Sequence, residues 1–153
     1  MLTAMASDHG GFRLKEELVT FVRGLGHTVE DLGCVDEGSV DYPEIGQTVA
    51  QKVSMGKVDA GILICGTGIG MSIVANKFPG VRAALVNHVS TARLAKEHNN
   101  ANVLVMGGRV VGTGLACEMV KAWLEAEFQG GRHLRRLQQI EAIERRNFQG
   151  WPI

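Results

Sequence analysis

Residues 60–70 read Ala60-Gly61-Ile62-Leu63-Ile64-Cys65-Gly66-Thr67-Gly68-Ile69-Gly70. The first five form a continuous apolar run, the pattern of a strand covered on both faces. The alternating glycines behind it mark a tight turn into a helix carrying Ile73, Val74 and Ala75. Four more short apolar runs lie outward from this one, at residues 2–7, 28–32, 81–86 and 102–106. Helical patterns separate them: Phe12, Leu14, Leu18, Phe21, Val22 and Leu25 with Gly26 as C-cap; Ile45, Val49 and Val53 after Asp41-Tyr42-Pro43; residues 91–97; and Leu115, Met119, Val120 and Trp123. Strands alternating with helices predict an α/β, Rossmann-like three-layer fold with a five-stranded parallel sheet and right-handed crossovers. One segment is left over. Behind Gly130-Gly131, residues 132–147 form an extra C-terminal amphipathic helix with Leu134, Leu137, Ile140 and Ile143 on one side. Such a stripe can pack on its own domain or on a second copy. No repeat or linker interrupts the chain, so residues 1–147 read as a single domain followed by a tail, 148–153.

The 153 residues carry 16 basic and 16 acidic side chains, a balance that argues against a nucleic-acid partner. With 45% hydrophobic and 21% charged residues the chain is an ordinary globular sequence, which excludes disorder as a default. No apolar run reaches the ~18 residues of a membrane span, and Met1-Leu2-Thr3-Ala4-Met5 has no basic region ahead of an apolar one. The three cysteines, Cys34, Cys65 and Cys117, form no CxxC, so the expectation is a cytoplasmic protein with free thiols. The five histidines show neither HxH nor HxxxH spacing, so a metal is a poor fit.

The turn at 65–70 fails three common templates. Met71 stands where a dinucleotide fingerprint needs its third glycine, no Lys-Ser or Lys-Thr follows for a P-loop, and Ser72 is followed by Ile73-Val74, not by x-Gly. What remains is a short anion cradle at a helix start with a thiol at its lip. A cysteine so placed can have a lowered pKa and act as base or nucleophile, or simply be a buried residue ending a strand. Asp8-His9 behind the first strand reads either as a ligand-facing pair or as a helix cap. His98-Asn99 offers a proton carrier or a favourable charge at a helix end. Arg132 and Arg136, four apart with His133 beside the first, can grip one phosphate or form a solvated basic face. A thiol, an amide cradle, a histidine and paired arginines together suit proton transfer alpha to a carbonyl on a phosphorylated small molecule.

Ser7-Asp8-His9-Gly10-Gly11, Asp41-Tyr42-Pro43, Cys65-Gly66-Thr67-Gly68-Ile69-Gly70, His98-Asn99, Gly107-Gly108-Arg109 and Gly130-Gly131-Arg132-His133, in that order, closely resemble the ribose-5-phosphate isomerase B family over residues 2–147. The resemblance implies an aldose–ketose isomerase that interconverts ribose 5-phosphate and ribulose 5-phosphate through a cis-enediolate, without metal or cofactor. In the implied scheme His98 opens the furanose, Cys65 carries the proton between C2 and C1, and Thr67 supports the thiolate. Asp8, His9 and Asn99 hold the sugar, amides of Gly66, Thr67, Gly68, Ile69 and Gly70 stabilise the oxyanion, and Arg132 and Arg136, helped by Arg109 and His133, bind the phosphate. It further implies a homodimer or homotetramer whose sites are shared between subunits, with helix 132–147 at the interface. The hexose branch, acting on galactose 6-phosphate or allose 6-phosphate, is the alternative within the family. Outside it stand a non-catalytic sugar-phosphate sensor and, disfavoured by the failed fingerprint, a nucleotide-binding module. Cys65 argues for the branch with a thiol where other members have serine. Two positions depart from the family's pattern: His88-Val89-Ser90 replaces Asp-x-Tyr, and Asn100 stands where Asp is common. Both bear on the substrate more than on the reaction.

Overall fold

The computed structural model describes residues 1–148; the tail expected at 148–153 lies, beyond Phe148, outside the described residues. The elements run β1 (Leu2–Ser7), a 3-10 turn (His9–Gly11), α1 (Phe12–Gly24), β2 (Thr28–Asp31), α2 (Tyr42–Ser54), β3 (Ala60–Cys65), α3 (Ile69–Ala75), β4 (Ala83–Leu85), α4 (Val89–Asn99), β5 (Val103–Gly107), α5 (Thr113–Glu125) and α6 (Arg132–Asn147). All strand pairs are parallel, in the order β2-β1-β3-β5-β4. The expected α/β class and the extra terminal helix are both present.

The strand order decides where helices must lie. Steps from β1 to β2 and from β4 to β5 run one way across the sheet, and steps from β2 to β3 and from β3 to β4 run the other. Right-handed crossovers therefore put α1 and α4 on one face and α2 and α3 on the opposite face. The core agrees: Met5, Ile62, Ile64, Leu104 and Met106 pack with residues of α1, α4 and α5, including Leu18, Ala95 and Trp123. The alternate residues Ala4, Ala6, Leu63, Cys65, Val103 and Val105 pack with α2 and α3. Because α1 and α3 leave β1 and β3 toward opposite faces, a crevice opens at the carboxyl ends of these two neighbours, the ligand position of open α/β sheets.

Boundaries differ from expectation where local bonds compete with the ladder. The run at 81–86 supplies a strand only over Ala83–Leu85, because the Val81 amide donates to the Phe78 carbonyl (3.1 Å) and the Arg82 amide to the Asn102 side chain (2.7 Å). The helix expected at 91–97 extends over Val89–Asn99 and stops where Asn100 adopts φ +45°. Asn tolerates this left-handed C-cap, so Asn100 has a backbone reason to be there. Along α6, Leu137 is buried, whereas Leu134, Ile140 and Ile143 remain about half exposed. Glu144 ties the far end of the helix to the domain by accepting a hydrogen bond from the Gly80 amide (2.9 Å).

One charge lies inside. The Lys15 ammonium is buried between Asp31 (2.5 Å) and Glu16 (2.7 Å), over the face of Phe12, and joins α1 to the end of β2. Asp31→Ala leaves this cation with one exposed partner. It should cost about 2 kcal/mol in urea unfolding, less than the ~3–5 kcal/mol for breaking a fully buried pair, because Asp31 is itself partly exposed.

Candidate active site

The crevice is lined by three strand ends. β1 runs into Asp8, whose amide donates to the Ile64 carbonyl (3.2 Å) and whose Oδ1 accepts from the Gly11 amide (3.2 Å). Asp8 is thus the cap of the turn that starts α1, and it is buried. His9 Nδ1 accepts a hydrogen bond from the Val40 amide (3.3 Å), so in neutral His9 the proton sits on Nε2, leaving that nitrogen as a donor. The segment carrying Val40 is also held to α1 by an Arg13–Glu37 ion pair.

β3 ends in Cys65, only 5% exposed, and its Sγ accepts a hydrogen bond from the Gly68 amide (3.1 Å). The chain can fold back so tightly because Gly68 has φ +82°. A Cβ there would also meet the Leu85 side chain at 2.5 Å and the Met106 carbonyl carbon at 2.9 Å. Thr67 is exposed, and its Oγ1 accepts from the Ile69 amide (3.3 Å), so the hydrogen bond to the sulfur comes from Gly68. α3 begins without a side-chain cap, and like any helix start it leaves its first-turn amides, such as Gly70, as orphan donors. Amides of this kind can take an anion placed beside the thiol. From β5, the Gly108 amide donates to the Cys65 carbonyl (2.8 Å) and the Arg109 amide to the Gly66 carbonyl (3.0 Å). This brings the exposed Arg109 side chain over Gly66. Asp8, His9, Cys65, Gly66, Thr67, Gly68, Ile69, Gly70 and Arg109 therefore share the carboxyl edge of the sheet.

His98, Asn99, Arg132, His133 and Arg136 do not join them. α4 leaves the carboxyl edge behind β4 and returns to the amino edge, where β5 begins, so its last residues lie at the opposite end of the sheet. There the His98 and His133 rings stack, with centroids 4.1 Å apart and planes 8° apart. The Gln129 amide donates to the Glu97 carbonyl (3.0 Å), which anchors the start of α6 to the end of α4. Arg132 and Arg136 are exposed, while His133 is 7% exposed. Burial first, then the neighbouring His98, Arg132 and Arg136, push the His133 pKa below its ordinary value. Five strand residues at ~3.3 Å each separate the two groups by about 17 Å within one chain. The rule was available in the sequence: a helix that feeds a parallel strand delivers its last turn to the amino edge.

Sequence reasoning also assigned no role to Tyr42. Its ring lies on the cradle, and a Cβ at Gly70 would come within 2.4 Å of Cζ and 2.9 Å of the hydroxyl. The signal was the Asp41-Tyr42-Pro43 tripeptide, whose proline lies in the first turn of α2 and fixes where Tyr42 stands. Among the described residues no three His, Cys, Asp or Glu side chains converge as metal ligands do, and no helix is long and apolar enough to cross a membrane.

A parallel α/β domain with a thiol, an amide turn and a capped Asp-His pair at its switch-point crevice defines a class of small-molecule site. Residues 3–140 match the model of the Ribose/Galactose Isomerase family. The ribose-5-phosphate isomerase B of Escherichia coli is 48% identical over 143 residues, 94% of this chain and 96% of that protein. The solved Clostridium thermocellum ribose-5-phosphate isomerase B superposes with a TM-score of 0.94 at 50% identity, covering 96% of this chain and 99% of that one. The Mycoplasma genitalium ribose-5-phosphate isomerase B, solved with bound ribulose 5-phosphate, gives a TM-score of 0.91 at 42% identity over 94% and 96% of the two chains. The chain belongs to the ribose/galactose isomerase family.

Two outcomes follow from this geometry. Gly68→Ala combines a left-handed backbone with contacts under 3 Å and should cost at least about 2 kcal/mol in denaturant unfolding. The second concerns pH. Because the folded protein holds His133 below the ordinary value, the unfolded chain binds the proton first. The stability that neutral His133 contributes is complete above about pH 6.5 and is lost as pH falls through and below that value. Urea midpoints should therefore decline more steeply on acidification in the wild type than in His133→Phe, which has no proton to take up.

Proposed function

We propose that this protein is an aldose–ketose isomerase that interconverts D-ribose 5-phosphate and D-ribulose 5-phosphate. The observation that carries the reading is the Cys65 sulfur held by the Gly68 amide beside open helix-start amides, at the crevice between β1 and β3. A thiolate there removes the C2 proton of the open-chain aldose and returns it to C1. The charge that develops on the enediolate oxygen falls on amides already aimed at it, so no reorganisation is needed as the reaction proceeds. His9, with Nε2 as donor, and Asp8 hold the sugar. His98 protonates the ring oxygen to open the furanose, Asn99 contacts the sugar, and Arg132 and Arg136 take the phosphate.

Since these last four lie at the other edge of the chain, we infer that a second copy supplies them. Each site then combines the carboxyl edge of one subunit with the amino edge of its neighbour, with the uncovered stripe of α6 at the contact. The protein would act on free sugar phosphate in the cytoplasm, without metal or cofactor.

Purified, EDTA-treated protein should form ketose from ribose 5-phosphate faster than from allose 6-phosphate or galactose 6-phosphate. Faster turnover of a hexose would move the assignment to the other branch. Cys65→Ala should abolish turnover while binding persists. His98→Asn should slow ribose 5-phosphate far more than erythrose 4-phosphate, which cannot close a ring; equal losses would remove the ring-opening role. The shared site has its own test. In a refolded equimolar mixture of the Cys65→Ala and His98→Asn chains, half of the dimers are mixed and each of these has one intact site, restoring about a quarter of wild-type activity. A mixture as inactive as its parents would place Cys65 and His98 of one chain in the same site.

A further inference from the structure

We propose that His133 is a positioning residue: stacked on His98, it fixes the imidazole that opens the sugar ring. The proposal rests on the isomerase reading and assigns His133 a different task from the phosphate grip that its neighbours in sequence suggest.

Three features of the amino edge support it. The first is geometry, since two rings with centroids 4.1 Å apart and 8° from parallel fix each other's rotation about χ2, the torsion a proton donor must keep. The second is direction. Arg132 and Arg136 are exposed, as residues that meet a phosphate need to be, while His133 is buried against α4. The chain is bent to achieve this. Gly130 and Gly131 have φ +64° and +54°, and a Cβ on either would meet nothing, so what the pair supplies is the left-handed turn that sets α6 down beside the end of α4. The Gln129–Glu97 backbone bond completes the junction.

The third feature is charge. The groups facing His133 are His98 from α4 and Arg132 and Arg136 from its own helix, all positive or able to become so. A positive charge on His133 would sit beside two guanidinium groups and a ring that can itself become positive, which disfavours the charged form of His133. Burial first, and these neighbours after it, push the His133 pKa below its ordinary value. His98 is the more exposed of the two rings.

The test uses His133→Ala and His133→Phe in the full chain. Phe keeps a flat ring on His98 but cannot hold a proton or a phosphate. We expect His133→Ala to lower kcat on ribose 5-phosphate by at least about tenfold with little change in KM, to leave turnover of erythrose 4-phosphate nearly intact, and to be largely rescued by Phe. Imidazole NMR titration of His133 should show a pKa below the ordinary value that rises in His98→Asn, when one like-charged neighbour is gone. A loss confined to KM in both variants would make His133 a phosphate ligand and overturn the proposal. So would wild-type kcat in His133→Ala, or a His133 titration unmoved by His98→Asn. Failure of the isomerase reading looks different: the wild type itself would be silent on ribose 5-phosphate, while the titration would still decide whether His98 acts on His133.

Discussion

Backbone packs directly on backbone where the carboxyl ends of β1, β3 and β5 meet, and the rest of the site depends on that closeness. A Cβ at Gly108 would lie 2.6 Å from the Gly10 carbonyl oxygen, one at Gly107 would lie 2.8 Å from the Thr67 carbonyl carbon, and one at Gly10 would lie 3.1 Å from the Gly66 nitrogen. Side chains are excluded from the place where three loops converge, so amides and carbonyls form its surface. The Cys65 and Gly66 carbonyls are taken by amides of the β5 loop, which locks the turn. The sulfur is left with the Gly68 amide, in a fixed place, at the end of a fully buried strand. A high glycine content here means a rigid site rather than a loose one.

Electrostatics divides the molecule differently. At the carboxyl edge three polar side chains are held by backbone amides: Asp8 by Gly11, His9 by Val40 and Cys65 by Gly68. At the amino edge, positive groups crowd together with little to balance them. Such a cluster costs stability when empty and recovers it when an anion arrives, which is what a phosphate subsite requires.

Much of this was legible in the residues. The apolar run through Ile62, Leu63 and Ile64 could only be an interior strand, and the Gly-Thr-Gly behind it could only be a tight turn; both are where the pattern placed them. β4 was read too long because Val81 and Val86 are buried without both belonging to the ladder, and periodicity reports burial rather than hydrogen bonding. α4 was read too short because its ends carry no sequence signal of the usual kind: His88 caps nothing with its side chain, and the helix stops at a left-handed Asn. The resemblance implied a site shared between subunits, but the residues alone did not say which groups lie apart, and a single chain holds them in two clusters. Residue types announce chemistry, but only topology says which edge of the sheet they occupy. The stacking of His98 on His133 was likewise beyond pattern reading, since it joins residues 35 positions apart through a two-glycine turn.

The division between edges has a consequence for descent. The thiol turn is encoded within residues 65–70, and the histidine–arginine cluster within residues 98–99 and 132–136, with no side chain shared between them. If two copies together complete each site, a duplicated gene can lose one group in one copy and the other group in its twin and still keep one working site in each mixed dimer, provided the two products associate. Mutation then turns a self-sufficient chain into an obligate pair of unlike chains by ordinary decay. The present chain, with both groups intact, stands on the near side of that step.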